Sequence, residues 1–446
     1  MSSRLTNNSL GLPGVVLRDV AFFPPDAGPG VPAAGTFSRG SQVRILRSWK
    51  GKTDEWSLVE GDSDISQSGW IPRTHVEPVY QLSSHVNAVN DLGIRLLRTI
   101  SKDGQDAIVC PYGLGRMAAV LVACSGGETR EKLEPLADTW PIRKKSKTFS
   151  SSQFTSTDFV LHRIGFRLTR DFQNFARQFH IGLQESEFDE SARLALNQQV
   201  TDLTIGMVRD LFSPAEWTPD LKIVACNVSS FIGKWDTAFS TGATTDRPFH
   251  VNQTDCITVK MMEGHLCCRT LLIPDLDAEA VVLPLARGQE AGVIILPNMN
   301  KSINQVMNDL TSSRLASAIR DSNEERVELF LPRFSVESSL ELTKCLPELH
   351  PLVANAANLS GLSRHPELEI SRGVQQSRIE VAEEGVEAAS ITAVQFCAAS
   401  TNRESIVRKI TVNRPFLFFL VSTASGSHLF SSVVSRPSSV ETSNSG

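Results

Sequence analysis

Residues Glu383–Thr401 read EEGVEAASITAVQFCAAST. No proline interrupts them, their only glycine is Gly385, and their only charge beyond it is Glu387. In a strand, alternate side chains share a face. One parity is Val386, Ala388, Ser390, Thr392, Val394 and Phe396, uncharged and mostly small. The other is Glu387, Ala389, Ile391, Ala393 and Gln395. Such a segment suits the middle of a sheet, with the first parity buried and Glu387 outside. Yet the chain continues through Asn402, Arg403, Glu404, Arg408 and Lys409, which is the chemistry of an exposed loop. A loop composed like a central strand is a conflict in local consistency, and such conflicts gather at functional sites. The alternative is an ordinary small-residue strand.

Working outward, the C-terminal flank is strand-like. Phe416 to Val421 and Leu429 to Val434 form an apolar pair around Ser425-Gly426, too hydrophobic for anything but a buried hairpin. Upstream, Ile223 to Phe231 and Val327 to Phe334 read as strands, and Val281 to Leu285 and Val293 to Leu296 flank Gly288 as a hairpin would. Nearer the N-terminus the period changes. Val89, Leu92, Ile94, Leu96, Leu97 and Ile100 fall on one helical face. Pro111 opens a second helix through Leu114, Met117, Val120 and Leu121, stopped by Gly126-Gly127. Helices early and long strands late predict an α+β fold.

At about 100–200 residues per domain, 446 residues allow two to four domains. Hydrophobic residues are 41% and charged residues 21%, the balance of a folded chain and not a disordered one. The net charge of −5 argues against a chain built to neutralise a polyanion. No apolar run is long enough to span a membrane, and the first 35 residues carry Asn, Ser, Pro and Gly where a signal peptide would have its apolar centre, so a cytoplasmic protein is expected. The eight cysteines show no CxxC pair, which predicts free, mostly buried thiols and no zinc site. The histidines are isolated, and no nucleophile–base pair of useful spacing is found. Gly113-Leu114-Gly115-Arg116-Met117-Ala118 has a GxGxxA pattern, but no acid-ended second strand follows it, so small residues at a packed helix start are the better reading.

The stretch from Asn87 to Pro437 resembles the serpins, serine protease inhibitors with a mobile reactive loop. Cys110-Pro111 with the helix and Gly126-Gly127-Glu128-Thr129 resemble the family's second helix and its exit. Asn197, Thr204 and Gly206 fall in the "N…V…T.GKI" pattern. Asn227 to Trp235 (NVSSFIGKW) is similar to "N..YFKGKW", followed at family spacing by Phe239 and Phe249-His250-Val251. Val259 with Met261-Met262, Leu331-Pro332-Arg333-Phe334, Asn358-Leu359-Ser360-Gly361 and Asn413-Arg414-Pro415-Phe416 match four further motifs in order.

The resemblance implies a large central sheet, several helices and a bait loop. A protease attacks the loop and forms an acyl-enzyme, and the cleaved loop then inserts into the sheet, trapping the enzyme. The protein is thereby a suicide substrate and not itself an enzyme, and needs no cofactor or metal. The hinge is Glu383, Glu384, Gly385, Val386, Glu387, Ala388, Ala389 and Ser390. Family spacing places the scissile bond at Ala399–Ser400, which suits an elastase-like protease; Arg403–Glu404 (trypsin-like) and Phe396–Cys397 (chymotrypsin-like) are alternatives, and a cysteine protease is a further target class. In the family a polar cluster under the sheet controls its opening, and the implied shutter and breach residues are Asn227, Trp235, Gln375 and Gly113. Here Cys110 and Gly113 stand where serines are usual and Gln375 where a histidine is usual, so the cluster is expected to be rewired. The non-inhibitory alternative is a serpin-fold carrier, binding protein or chaperone. Most of the family is secreted, which makes the extracellular space the alternative location.

Arg143, Lys144, Lys145 and Lys147 lie where serpins carry a glycosaminoglycan-binding helix, with a solvated loop as the plain reading. Residues 36–79 resemble an SH3-like barrel through Asp54-Glu55-Trp56 and Gly69 to Val76, with Trp56, Trp70, Pro72 and His75 as a groove for a proline-rich peptide. The expected layout is a disordered lead-in (1–35), an SH3-like domain (36–79), a serpin domain (80–437) and a disordered tail (438–446).

Overall fold

The computed structural model describes the backbone of residues 12–16, 20–22, 35–37, 42–50, 55–61, 68–72, 76–78, 84–101, 105–137, 154–286, 288–353, 357–365, 368–386 and 408–438. Side chains are described within these ranges from residue 85 on, except 135–137 and 353. The chain divides into two compact units, Met1–Gln81 and Leu82–Gly446.

The first unit holds β1 (Leu12–Val16), β2 (Val20–Phe22), β3 (Gly35–Phe37), β4 (Gln42–Lys50), β5 (Glu55–Gly61), β6 (Ser68–Pro72) and β7 (Val76–Pro78). Five of them form an antiparallel sheet in the order β6-β5-β4-β1-β7, and β2 pairs with β3. β1 and β2 fall inside residues 1–35, which composition reads as a loose lead-in. The difference lies in Leu12–Val16, whose two valines favour a strand within a glycine- and proline-rich stretch. The register sets Trp56 opposite Pro72. The side chains of Trp56, Trp70, Pro72 and His75 lie outside the described residues, as do Arg143, Lys144, Lys145 and Lys147.

The second unit begins with α1 (Ser84–Ile100), β8 (Ala107–Val109), α2 (Pro111–Cys124) and α3 (Gly127–Ala137). Pro111 at the first helical position and Ser125 after the last agree with the boundaries legible in the sequence. There follow β9 (Phe154–Arg163), α4 (Arg170–Gln178), β10 (Gly182–Ser186), α5 (Glu190–Leu203), β11 (Ile223–Phe231), β12 (Gly233–Lys234), β13 (Thr245–His250), β14 (Cys256–Ile273), β15 (Ala278–Pro284) and β16 (Glu290–Pro297). The last elements are α6 (Ile303–Asp309), α7 (Ser312–Asp321), β17 (Asn323–Pro332), β18 (Phe334–Glu341), α8 (Leu342–Cys345), α9 (His350–Val353), β19 (Arg372–Ala382), β20 (Gly385–Val386), β21 (Arg408–Thr411), β22 (Phe416–Ser422) and β23 (His428–Val434).

Two sheets organise this unit. A nine-stranded sheet runs β21-β17-β14-β15-β16-β22-β23-β8, with β13 on β14. Its strands β16, β22 and β23 are buried along their whole length, which is why they read as continuous apolar runs. Phenylalanines fill its core: Phe334 meets Phe416 and Phe418 edge-on at 5.5 and 5.3 Å. A ring without a hydroxyl needs no partner there.

The seven-stranded sheet runs β10-β9-β11-β19-β20-β12, with β18 on the other edge of β19. α2 underlies it and α5 covers it. On β11, Ile223 and Ala225 join the core shared with α2, whereas Val224, Cys226 and Val228 join the cluster containing Leu196 and Val200 of α5. That alternation is the two-residue period of a strand buried on both faces. Of the seven described cysteines, all free, Cys110, Cys124, Cys226 and Cys268 are buried, Cys256 and Cys267 are exposed, and Cys345 is half-buried. Among the described residues no group of three or more His, Cys, Asp or Glu could hold a metal ion.

Candidate site: the closed sheet, its hinge and the polar cluster beneath it

β11 and β19 lie side by side and run parallel, with Asn227 opposite Gln375 and Ser229 opposite Ser377. The chain leaves β19, turns at Glu383-Glu384 and comes back antiparallel as β20, where Val386 pairs with Val381 and Gly385 with Ala382. β20 also pairs antiparallel with β12, Gly233 against Val386 and Lys234 against Gly385. Two residues of the hinge therefore already stand between the strand ends as the beginning of a middle strand. A strand continuing from them would be antiparallel to both neighbours, so opening the parallel seam exchanges one pairing for two. Residues 387–407, including Glu387, Ala388, Ala389, Ser390 and the candidate bonds at Ala399–Ser400, Arg403–Glu404 and Phe396–Cys397, lie outside the described residues.

The turn is held by backbone and side chain together. The Trp235 amide donates to Glu384 O at 3.0 Å and the Phe239 amide to Glu383 O at 2.9 Å. The Trp235 indole Nε1 donates to Ala382 O at 3.0 Å. The buried Glu383 carboxylate accepts from Arg333 Nε at 2.8 Å and also from the Thr244 hydroxyl. Gly385 is required by space: a Cβ there would sit 2.0 Å from Gly233 O and 2.6 Å from Lys234 Cα, both backbone atoms. The ion pair Arg333–Glu383 joins residues 50 apart in sequence. Removing the carboxylate, as in Glu383→Ala, leaves Arg333 without its buried counter-charge and is expected to cost about 3 kcal/mol. The urea midpoint reads this directly, and an unchanged midpoint would show the pair to be inconsequential.

The polar cluster lies at mid-strand on the α2 side. Gln375 folds onto Cys110: its Oε1 accepts from the Cys110 amide at 3.1 Å and its Nε2 donates to Cys110 O at 3.0 Å. The same Nε2 reaches Asn227 Oδ1 at 3.4 Å, and the Ser229 hydroxyl donates to that oxygen at 2.9 Å. Asn227 Nδ2 donates to Asp158 Oδ1 at 2.8 Å and to Ser156 Oγ at 3.1 Å. Asp158 in turn receives Arg116 Nε at 2.6 Å, and Arg116 Nη2 donates to Phe179 O at 2.9 Å. The cluster therefore ties β9, β11 and β19 to α2 in one connected network.

Gly113 fits this network because it has no side chain. A Cβ would stand 2.2 Å from Asn227 Oδ1 and 3.0 Å from Gln375 Nε2. Gly113 and Gln375 are thus complementary departures: glycine clears the volume that the two amides fill. Cys110 takes the N-cap position of α2, accepting from the Gly113 amide. Burial pushes its thiol pKa up to about 12, with the Ser229 hydrogen bond working against that, so it stays a neutral thiol.

The Arg116–Asp158 pair is the member that the motif pattern misses. The two side chains are 8% and 1% exposed. Burial works to lower the Arg116 pKa, but the Asp158 charge beside it prevails and holds it above the usual arginine value. Its trace in the sequence is a single arginine in the otherwise uncharged helix PYGLGRMAAVLVAC. Of the residues singled out from sequence, Asn227, Gln375 and Gly113 meet at this cluster, while Trp235 belongs to the hinge end with Glu383, Glu384, Gly385 and Val386.

A profile of the family described as Serpin (serine protease inhibitor) matches residues 87–437. The human (Homo sapiens) leukocyte elastase inhibitor is 33% identical over 386 residues, covering 80% of this chain and the whole of that protein. Iripin-3 of Ixodes ricinus is 29% identical over 367 residues, 77% of this chain and 92% of its own. The structure of the mouse protein-Z dependent protease inhibitor superposes with a TM-score of 0.70 at 25% identity, over 79% of this chain and 97% of that one. Thyroxine-binding globulin complexed with thyroxine shares the fold, with a TM-score of 0.71 at 18% identity over 80% of this chain and 100% of its own. The closed seam, the hinge strand and the polar cluster thus sit in a chain whose matches extend over nearly all of its second unit: the chain belongs to the serpin family.

Proposed function

We propose that the protein inhibits a serine protease as a suicide substrate. The observation that carries this reading is β20. Its two residues already pair with strands on both sides, at the head of a seam whose opening would admit a longer strand. The segment that would follow has no charged residue on the parity of Val386. A protease serine attacking the loop forms an acyl-enzyme, and insertion of the cleaved loop then separates the acyl group from the machinery that would hydrolyse it. The native state is metastable by design, its lifetime set by the barrier to opening the seam.

The target class follows from the residue before the scissile bond. Alanine at Ala399 fits a small, apolar pocket, and the relative named leukocyte elastase inhibitor supports an elastase-type enzyme. Arg403–Glu404 offers a trypsin-type enzyme instead. Incubation with a panel of elastase-, trypsin-, chymotrypsin- and papain-type proteases is expected to give an SDS-stable complex of summed mass with the elastase type. Mass spectrometry of the released C-terminal fragment then identifies the bond. Cleavage by every panel member without a stable complex would exclude inhibition and leave the carrier reading.

A further inference from the structure

A cleft of about 770 Å3 opens at the end of α2 opposite to Gly113. Its walls are the last turn of α2, Arg130 of α3, residues 167–172 with Phe175 at the entry to and start of α4, and the turn at Ser360-Gly361 with Arg364. The walls are tied together. The Thr169 hydroxyl donates to Gly361 O at 2.6 Å, the Thr169 amide to Leu362 O at 2.8 Å, and the Ser363 hydroxyl to Arg167 O at 2.6 Å. These bonds fix the walls to one another around an open cleft, whose volume falls in the range of small-molecule sites.

Four arginines are among its lining residues: Arg130, Arg167, Arg170 and Arg364. Arg130 approaches Glu134 only at 3.8 Å, with both side chains exposed. Arg167, Arg170 and Arg364 form no ion pair with any described acid, and Asp171 is the one acid among the lining residues. In a chain of net charge −5, this gathers positive charge around one concavity. Of the remaining lining Thr169 and Ser360 are polar, and the rest is apolar or glycine, including buried Val122 and Phe172 and half-buried Phe175.

We propose that this cleft binds a small amphiphilic organic anion, with its acyl or aromatic body against Phe172 and Phe175 and its carboxylate, sulfate or phosphate head between Arg167 and Arg364. Planar guanidinium forks suit such heads in a two-point geometry. A linear sulfated polysaccharide needs a row of cations along an open surface and would leave Phe172 and Phe175 unused. The inference is independent of protease inhibition, since no hinge or polar-cluster residue lines the cleft.

Isothermal titration of the full chain with dodecanoate, below its micellar concentration, is expected to show one saturable site. Dodecanol, with the same chain and no charge, should bind at least about tenfold more weakly. The double variant Arg167→Gln/Arg364→Gln should lose about tenfold or more in dodecanoate affinity while keeping its melting temperature, because both residues are exposed. Phe175→Ser should weaken both ligands alike. No saturation, an affinity unchanged in the double variant, or heparin binding at these arginines that dodecanoate does not displace would each overturn the proposal.

Discussion

Replacing Asp158 by alanine is expected to destabilise the native state by about 3–5 kcal/mol, because Arg116 would keep its charge in a buried site with no counter-charge. The loss extends beyond the pair. Asp158 also receives the Asn227 amide, so its removal frees Asn227 at the centre of the seam between β11 and β19. The variant is expected to unfold at lower urea and to lose inhibitory activity faster on incubation, through premature opening of the sheet. Equilibrium unfolding and timed activity assays read these two effects separately. The double variant Arg116→Met/Asp158→Leu removes both charges together and should recover the part of the loss that comes from the unpaired cation, while the part from the freed Asn227 amide remains. If Asp158→Ala alone matches the parent protein, the network does not hold the sheet closed.

The second large effect concerns the inserted state. Continuing the β20 register down the seam aligns each further residue with one on β19 and one on β11. The two alignments agree, because β11 and β19 already face each other with Asn227 opposite Gln375. On that register Ser390 meets Ser229 and Ser377, and Thr392 meets Asn227 and Gln375. The match is chemical: the two hydroxyls of the inward parity fall on the two polar rows of the slot. Ser377 Oγ, buried and without a hydrogen-bond partner among the described residues, would gain one. Cleavage within the loop should therefore raise the melting temperature by roughly 14 °C, if about ten new hydrogen bonds contribute near 1 kcal/mol each.

Thr392→Arg tests this register. It would bring an unpaired cation against α2 beneath the closed strand, at a cost of several kcal/mol. Insertion should then stall, with the loop still cleaved, no SDS-stable complex and no rise in melting temperature. Thr392→Val, similar in shape and uncharged, should keep the complex. A Thr392→Arg protein that traps protease as well as the parent would show that the loop enters in another register.

Much of this was legible without coordinates. The proline-opened α2 and the buried hairpin of β22 and β23 are local patterns, set by a period of two or 3.6 residues that a sequence displays directly. The hinge glycine and the three cluster residues Asn227, Gln375 and Gly113 were reached through motif order. Missed were the contacts whose partners stand far apart in the chain. Arg116 read only as part of the GxGxxA pattern, Asp158 gave no signal, and Arg333 read as part of a motif, not as the counter-ion of Glu383.

The chain by itself thus determined the kind of fold, because burial imposes a spacing on residues that are neighbours in sequence. The tertiary structure alone decided how the sheet is held shut. It brought residues 42 and 148 positions apart into one hydrogen-bonded network and set two residues of the hinge between their future neighbours. The reason is physical: a buried charge or amide is tolerated only where its partner is, and that place is chosen by the packing of α2 against the sheet and not by any local pattern.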